Sequence, residues 1–346
     1  MSFTSMSALR GLLLPLVLML TACQPAPTQT RIQGQTMGTY YVVTVNDPYP
    51  GGEAELKREL DALLARMNKE ISTYDKSSLI SRFNQGPANQ PMMIPATMAT
   101  IVQQGIDTGH LTRGKLDVTV GPLVNLWGFG PDMRPLKKPS DAQIAKARQR
   151  VGIDKLTLTP QGDHFLLSKA IPDLYLDLST LGEGAASDEI AVLLESKGVH
   201  NYLIEVAGAV RSKGNNSKGK PWRVAIVKPA DQPGAFSDVV TPNGMALSTA
   251  GSYRNYYELD GLRYSHIIDP ETGAPVTHKL VSASVIANTA LEADALDTAL
   301  MVMGPDQAMA FAKEHQLAAY LIIKTEQGFT AKFTPQFAPY LVQEKP

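Results

Sequence analysis

Residues 291–304 read LEADALDTALMVMG, a run of small and apolar residues that predicts a helix yet carries three carboxylates, Glu292, Asp294 and Asp297. At about 100° per residue, Asp294, Asp297 and Thr298 fall within roughly one third of the helix circumference, while Glu292 points to nearly the opposite side. Two carboxylates one turn apart repel each other, and burying them unpaired is costly. The shared face therefore predicts a bound cation or a strongly solvated groove. An exposed polar stripe on an amphipathic helix is the simpler alternative, and this stretch alone does not separate the two.

Working outward, the chain alternates between helix-like and strand-like runs. VSASVIAN (281–288) before this helix and AAYLIIK (318–324) after it read as strands, with a second helix around DQAMAFAKEHQ (306–316) between them. Toward the N-terminus, TYYVVTV (39–45) reads as a strand and EAELKRELDALLARMNKEI (53–71) as a helix; residues 96–109 and 141–150 are also helical in pattern. YLDLS (175–179) reads as a short strand entering the helix GEGAASDEIAVLLESKG (182–198), whose end Gly198 marks. NYLIEV (201–206) and WRVAIVKP (222–229) read as strands separated by the polar turn RSKGNNSKGK, and YYELDGLRYSHII (256–268) as a hairpin turning at Asp260 and Gly261. No heptad, repeat or Walker phosphate loop is visible. The pattern predicts a mixed α+β fold with many strands that hairpins can connect.

The ends and the composition bound where such a fold works. A single positive charge precedes the apolar run GLLLPLVLML, and LTAC follows at residues 20–23. That order predicts a secretory signal over residues 1–22 rather than a membrane-spanning helix. Leu20, Thr21, Ala22 and Cys23 resemble a bacterial lipobox, and Cys23 is the one cysteine of the chain, so an acyl anchor accounts for it better than a free thiol in an oxidising compartment. Residues 23–36 then read as the lipidated cysteine and a flexible tether, and residues 37–346 as one large domain or two closely packed lobes. With 32 Lys and Arg against 33 Asp and Glu, there is no basic excess to recommend nucleic acid as a partner.

Several loops carry polar residues of the kind that bind small molecules. ISTYDKSSLISRFN places Tyr74 just after a helix, where its ring can stack on a planar ligand or pack on the core. DVTVGPLVNLWGFG opens with Asp117. DLSTLGEG sets Asp177, Thr180 and Glu183 around a strand-to-helix junction, where free N–H groups and the positive helix end favour an anion such as phosphate. Helix capping is the commoner use of such residues.

Together the stretches MGTYY, STYDKSSLISRFN, LDVTVGPLVNLWGFGP, DLSTLGEG, STAGSYRNYY, SHIIDPETGAP and LEADALDTALMVMG resemble the ApbE family of FAD:protein FMN transferases, from about Met37 to the last strand. The resemblance implies an α+β fold related to the T-fold, with mixed sheets, packed helices and FAD in a cleft between two lobes. It implies magnesium-dependent transfer of FMN from FAD to a threonine hydroxyl of a target protein, releasing AMP. Carried onto this chain, Met37 and Tyr74 contact the flavin, Lys115, Leu116 and Asp117 bind the nucleotide, and Asp177, Glu183 and Ile268 border FAD. Thr180, Asp294, Asp297 and Thr298 surround the metal, and His266 is the candidate base.

Breaking a pyrophosphate with an oxygen nucleophile calls for a hard cation on oxygen ligands and for a proton acceptor, which suits the acidic helix face and a histidine titrating near neutrality. A strand histidine bonded to a backbone carbonyl is the alternative for His266. Asp269, in an Asp-Pro turn, is the less favoured base. The implied acceptors are threonines in Ser/Thr-Gly-Ala-Thr-like motifs of NADH:quinone oxidoreductase or Rnf-type subunits; this chain has no such motif, so the acceptor is another protein. Lipid anchoring would place the enzyme on the periplasmic side of the bacterial envelope. An FAD pyrophosphatase giving FMN and AMP, and a non-enzymatic flavin-binding lipoprotein, are the rival readings.

Overall fold

The first two strands, β1 (Thr30–Thr36) and β2 (Thr39–Val45), pair through the turn Met37–Gly38, whose residues both have positive φ. The computed structural model describes residues 29–131, 135, 137–228, 236–253 and 255–343; the expected signal and Cys23 lie outside the described residues. Residues 30–36, expected as tether, are instead an edge strand of the main sheet. Their polar composition hid this, because an edge strand needs few apolar residues: Ile32 and Thr36 face the core, and at Gly34 a Cβ would stand 2.6 Å from the Tyr41 ring.

The elements that follow are α1 (Gly52–Ile71), α2 (Leu79–Gln85), β3 (Met92–Ile94), α3 (Ala96–Leu111), α4 (Gly121–Leu126), α5 (Asp141–Arg148), β4 (Leu156–Gln161) and β5 (His164–Lys169). Next come α6 (Ser179–Ser196), β6 (Tyr202–Val206), β7 (Ala209–Lys213), β8 (Val224–Val227), β9 (Phe236–Val240) and β10 (Ala246–Gly251). The chain continues with the hairpin β11 (Tyr256–Leu259) and β12 (Leu262–Ser265), then β13 (Ile268–Asp269), β14 (Ala274–Pro275) and β15 (Leu280–Ala287). It ends with α7 (Ala290–Met303), α8 (Pro305–Glu314), β16 (Ala318–Thr325) and β17 (Gly328–Phe333).

One antiparallel sheet runs β1-β2-β6-β7-β10-β15-β16-β17. Its two four-stranded halves meet where β7 pairs with β10, Arg211 opposite Ala246 and Val210 opposite Leu247. Helix α6 packs on β6 and β7, α7 packs on β10 and β15, and the two helices pack on each other. Gly184 makes that approach possible, since a Cβ there would stand 2.5 Å from the Ala290 carbonyl oxygen. Asp188 of α6 accepts the N–H groups of Ala290 (3.0 Å) and Leu291 (2.9 Å), tying one helix to the start of the other.

Three local expectations differ. YLDLS is not a strand: Leu176 bonds a side chain and Asp177 bonds Val118, so no ladder forms, and α6 begins at Ser179. The stretch RSK of the expected polar turn belongs to β7, with Ser212 buried; the turn proper follows, closed by a bridge between Asn215 and Pro221. Of WRVAIVKP, the described residues 222–228 are strand over Val224–Val227, paired with β9 in a separate two-stranded sheet. The hairpin is as expected, with φ of 52° at Asp260 and 75° at Gly261.

Candidate active site

Helix α7 is buried at almost every position, which excludes the exposed stripe. Asp297 has no exposure and Asp294 is 7% exposed, both facing α6 and β10. Asp294 Oδ2 accepts the Gly184 N–H at 2.8 Å and its Oδ1 the Ser248 hydroxyl at 3.3 Å. Thr298 Oγ1 donates to Asp297 Oδ1 at 3.3 Å, while Asp297 Oδ2 is buried without a hydrogen-bond partner among the described residues. Burial, the neighbouring carboxylate and the Glu183 charge hold Asp294 well above the usual carboxylate range; burial and Glu183 do the same to Asp297. Thr180 lies one turn before Gly184, on the same face of α6. Glu292, on the far side of α7, is only partly buried.

Among the described residues no three His, Cys, Asp or Glu side chains gather at ligand distances. A cation here would therefore meet two carboxylates and neutral oxygens from Thr180, Thr298 and the backbone. That oxygen set suits a hard divalent ion, and the orphaned Asp297 oxygen gives the ion a reason to be there.

A second group of side chains gathers beyond α2 and α4. Tyr74 is 65% exposed, and its hydroxyl donates to the Phe129 carbonyl at 3.2 Å. The Phe129 ring meets the His266 ring edge-on at 6.3 Å and tilts against Tyr257 at 5.2 Å. His266 Nδ1 lies 3.0 Å from the Asn255 carbonyl oxygen. A carbonyl only accepts, so Nδ1 carries the hydrogen and Nε2 keeps its lone pair. Burial pushes the imidazole below the usual histidine range, leaving it neutral at pH 7. The bond to a carbonyl, the alternative to catalysis on sequence grounds, thus sets the tautomer a base requires. Asp269 serves its turn: its Oδ1 accepts the Glu271 N–H at 2.9 Å and its carbonyl the Gly273 N–H at 2.8 Å.

The remaining predicted residues lie outside these two groups, some at a cavity and some in the core. Met37, in the β1–β2 turn, brings its sulfur 3.4 Å from where a Gly182 Cβ would stand. Lys115 spans to Glu271 (2.8 Å) and Asp269 (3.6 Å), and with Arg113, Asp117 and Arg148 borders a cavity of about 280 Å³. Burial lowers the Lys115 ammonium, but the two carboxylates outweigh it and hold its pKa up. Leu116 is buried in the core and its N–H goes to Thr112 Oγ1. Asp117 Oδ1 accepts the Thr119 N–H (2.8 Å) and hydroxyl (2.6 Å); Asp177 Oδ1 accepts the Ser179 N–H at 3.0 Å, and Asp177 N–H donates to Val118 at 2.7 Å. Ile268 is buried among Leu123 and Trp127.

The fold thus brings Glu183, Asp294, Asp297 and Thr298 together, with Thr180 one turn along α6 from the Gly184 that bonds Asp294, and separately Tyr74 and His266 around Phe129. Sequence reasoning assigned no role to Ser248, Phe129 or Asn255. Ser248 and Asn255 stand in STAGSYRNYY and Phe129 in LWGFG, but nothing in a linear motif says which members meet the acid pair or the histidine.

The ApbE family model matches residues 37–321. A Klebsiella pneumoniae relative, a FAD:protein FMN transferase, is 47% identical over 325 residues, covering 94% of this chain and 93% of its own. The solved flavin transferase ApbE from Vibrio cholerae superposes with a TM-score of 0.83 at 43% identity, covering 91% of this chain and 99% of that one. The apo flavinyl transferase ApbE from Pseudomonas stutzeri gives 0.81 at 36% identity, covering 90% and 96%. With a family model across nearly the whole described fold and relatives this similar over almost their full length, the chain belongs to the ApbE family.

Proposed function

We propose that this chain is a FAD:protein FMN transferase that uses magnesium to move FMN from FAD onto a threonine hydroxyl of another protein, releasing AMP. The observation that carries the reading is the buried Asp294–Asp297 pair with its orphaned oxygen. Thr180, Asp294, Asp297 and Thr298 would hold the ion. When bound, it supplies charge neutralisation on the non-bridging pyrophosphate oxygens.

The chain's own residues do the rest. Tyr74 stacks on the flavin beside Met37, and Lys115, Leu116, Asp117, Asp177, Glu183 and Ile268 border the FAD. His266 Nε2 takes the proton as the threonine oxygen bonds to the FMN phosphorus and the bond from that phosphorus to the bridging oxygen breaks. That oxygen leaves on AMP.

Incubating the protein with FAD, magnesium and an acceptor domain carrying a Ser/Thr-Gly-Ala-Thr motif should give in-gel flavin fluorescence on the acceptor and one AMP per flavin attached. AMP with no attached flavin would make the protein an FAD pyrophosphatase; tight FAD binding with neither product would make it a flavin carrier. We further propose that Cys23 carries a lipid anchor that holds the enzyme on the periplasmic side of a membrane, beside acceptors such as NADH:quinone oxidoreductase or Rnf-type subunits. Cys23→Ser should move the protein out of the membrane fraction or leave an uncleaved precursor, with transfer by the folded body unchanged. Membrane retention of processed Cys23→Ser protein would end the anchor reading.

A further inference from the structure

The segment joining β5 to α6, residues 170–178, has no regular structure yet carries Asp177 and delivers the first turn of α6, with Thr180. Leu174, Leu176 and Leu178 turn into the core on alternate positions, which leaves Asp177 on the opposite side. Apolar burial alone does not set the register of such a stretch, because sliding it two residues returns leucine to the same pockets.

Two polar side chains outside the site supply that register. The Asn84 carboxamide, in the last turn of α2, grips the backbone of one residue on both sides: its Nδ2 donates to the Leu176 carbonyl at 2.8 Å and its Oδ1 accepts the Leu176 N–H at 2.8 Å. Lys169, at the end of β5, is 2% exposed. Its ammonium donates to the carbonyls of Asn84 (2.7 Å), Pro172 (2.8 Å) and Leu174 (3.3 Å), and stands 5.4 Å from the centre of the Phe83 ring. An ammonium has three N–H donors, and here each has a carbonyl. Burying a cation with no carboxylate at ion-pair distance among the described residues is costly, and burial lowers the pKa of this one although the more distant Asp173 charge opposes it. A methionine of similar length would fill the space without that cost. The cation is accounted for by what it ties together: the end of α2, the end of β5 and two carbonyls of the segment ahead of Leu176.

We propose that Asn84 and Lys169 form a positioning clamp that sets Asp177 and the α6 start where they meet the nucleotide and the metal. The proposal rests on the transferase reading above. Neither residue touches substrate; each acts through the backbone of residues 172–176, one residue before Asp177 and four before Thr180.

The test uses the whole folded protein and reads three quantities: FAD affinity by flavin fluorescence without acceptor, the magnesium concentration for half-maximal transfer, and kcat with both saturating. Asn84→Ala and Lys169→Met should raise both half-saturation values about tenfold, with kcat changed much less. Asn84→Asp keeps the shape and the acceptor for the Leu176 N–H but loses the donor, and should show an intermediate shift. Tyr320→Phe, which removes a hydroxyl bond to Asp238 in the β8–β9 arm, gives the baseline for general destabilisation. Half-saturation values that stay at wild type while the melting temperature falls would make the clamp a fold element only and overturn the proposal, as would variants that all fail to fold. If the wild type binds FAD but attaches no flavin, the transferase reading fails instead, and the shift in FAD affinity still decides the clamp.

Discussion

Asp117 and Asp177 lie in one region of the molecule and Asp294 and Asp297 in another, and all four are buried carboxylates. They differ in what meets their oxygens. Asp117 and Asp177 each sit two residues before the backbone N–H they accept, so local turns satisfy them wherever the rest of the fold goes. Asp294 and Asp297 are on a helix whose own N–H groups are spent in the helix. They depend on one N–H from Gly184 of α6 and the Ser248 hydroxyl of β10, with only the Thr298 hydroxyl supplied by their own helix. The supply falls short by one oxygen, in a place where both carboxyls are pushed toward their protonated forms. A buried acid whose bonds are local is held in place before any ligand arrives; a buried acid left short by its neighbours has an oxygen that a cation would complete.

The largest expected effect breaks this contrast at its open end. Asp297→Asn, and Asp294→Asn with it, should abolish metal-dependent transfer, partly recovered by excess magnesium for the milder of the two. The same substitutions should stabilise the metal-free protein. Its two raised carboxyls bind protons more tightly folded than unfolded, so the pair's contribution to stability is fully present below the unfolded pKa of about 4 and is lost as pH rises through the raised folded values. The asparagine variants should flatten that slope in chemical denaturation run in chelator from pH 4 to 8. A steeper slope, or a loss of stability, would place the pair with the locally bonded acids Asp117 and Asp177.

Next is His266→Ala, expected to leave FAD affinity intact and to slow transfer by about two to four orders of magnitude. Because burial holds the imidazole below its usual range, wild-type transfer should fall with acidification only below the usual histidine range. Near wild-type transfer by the variant would send the base elsewhere. At the satisfied end of the contrast, Asp117→Ala should cost about 1–3 kcal/mol of stability by freeing the Thr119 N–H and hydroxyl, measured by denaturant midpoint. The smallest effect belongs to Glu292→Gln, on the far side of α7: stability within about 0.5 kcal/mol and an unchanged magnesium titration. A shift as large as that of Asp297→Asn would mean that the helix face is misassigned.

Much of the fold was legible because it rests on local rules. Helices such as α1 and α7 announce themselves by spacing, and the β11–β12 turn by Asp260 and Gly261. What escaped were elements whose signal is not local. Strand β1 is polar because it lies at a sheet edge, β7 hides in a charged run because alternate residues face solvent, and the segment 170–178 resembles a strand but is held by Asn84 and Lys169 from distant elements. In the site, Asp294, Asp297 and Thr298 were legible as one helix face. Ser248, Phe129 and Asn255 were not, since their roles exist only across elements.

Sequence alone determined the helix periodicity of 291–304, the grouping of Asp294 and Asp297 apart from Glu292, and the family motifs, all of which follow from bond geometry and residue order. Only the tertiary structure decided that this face is buried against α6 and not solvated, that one Asp297 oxygen has no hydrogen-bond partner among the described residues, and that Asn255 sets the His266 tautomer. Burial and hydrogen-bond supply depend on which neighbours are present, and residues 184, 248 and 294 become neighbours only when the two halves of the sheet bring α6 and α7 together.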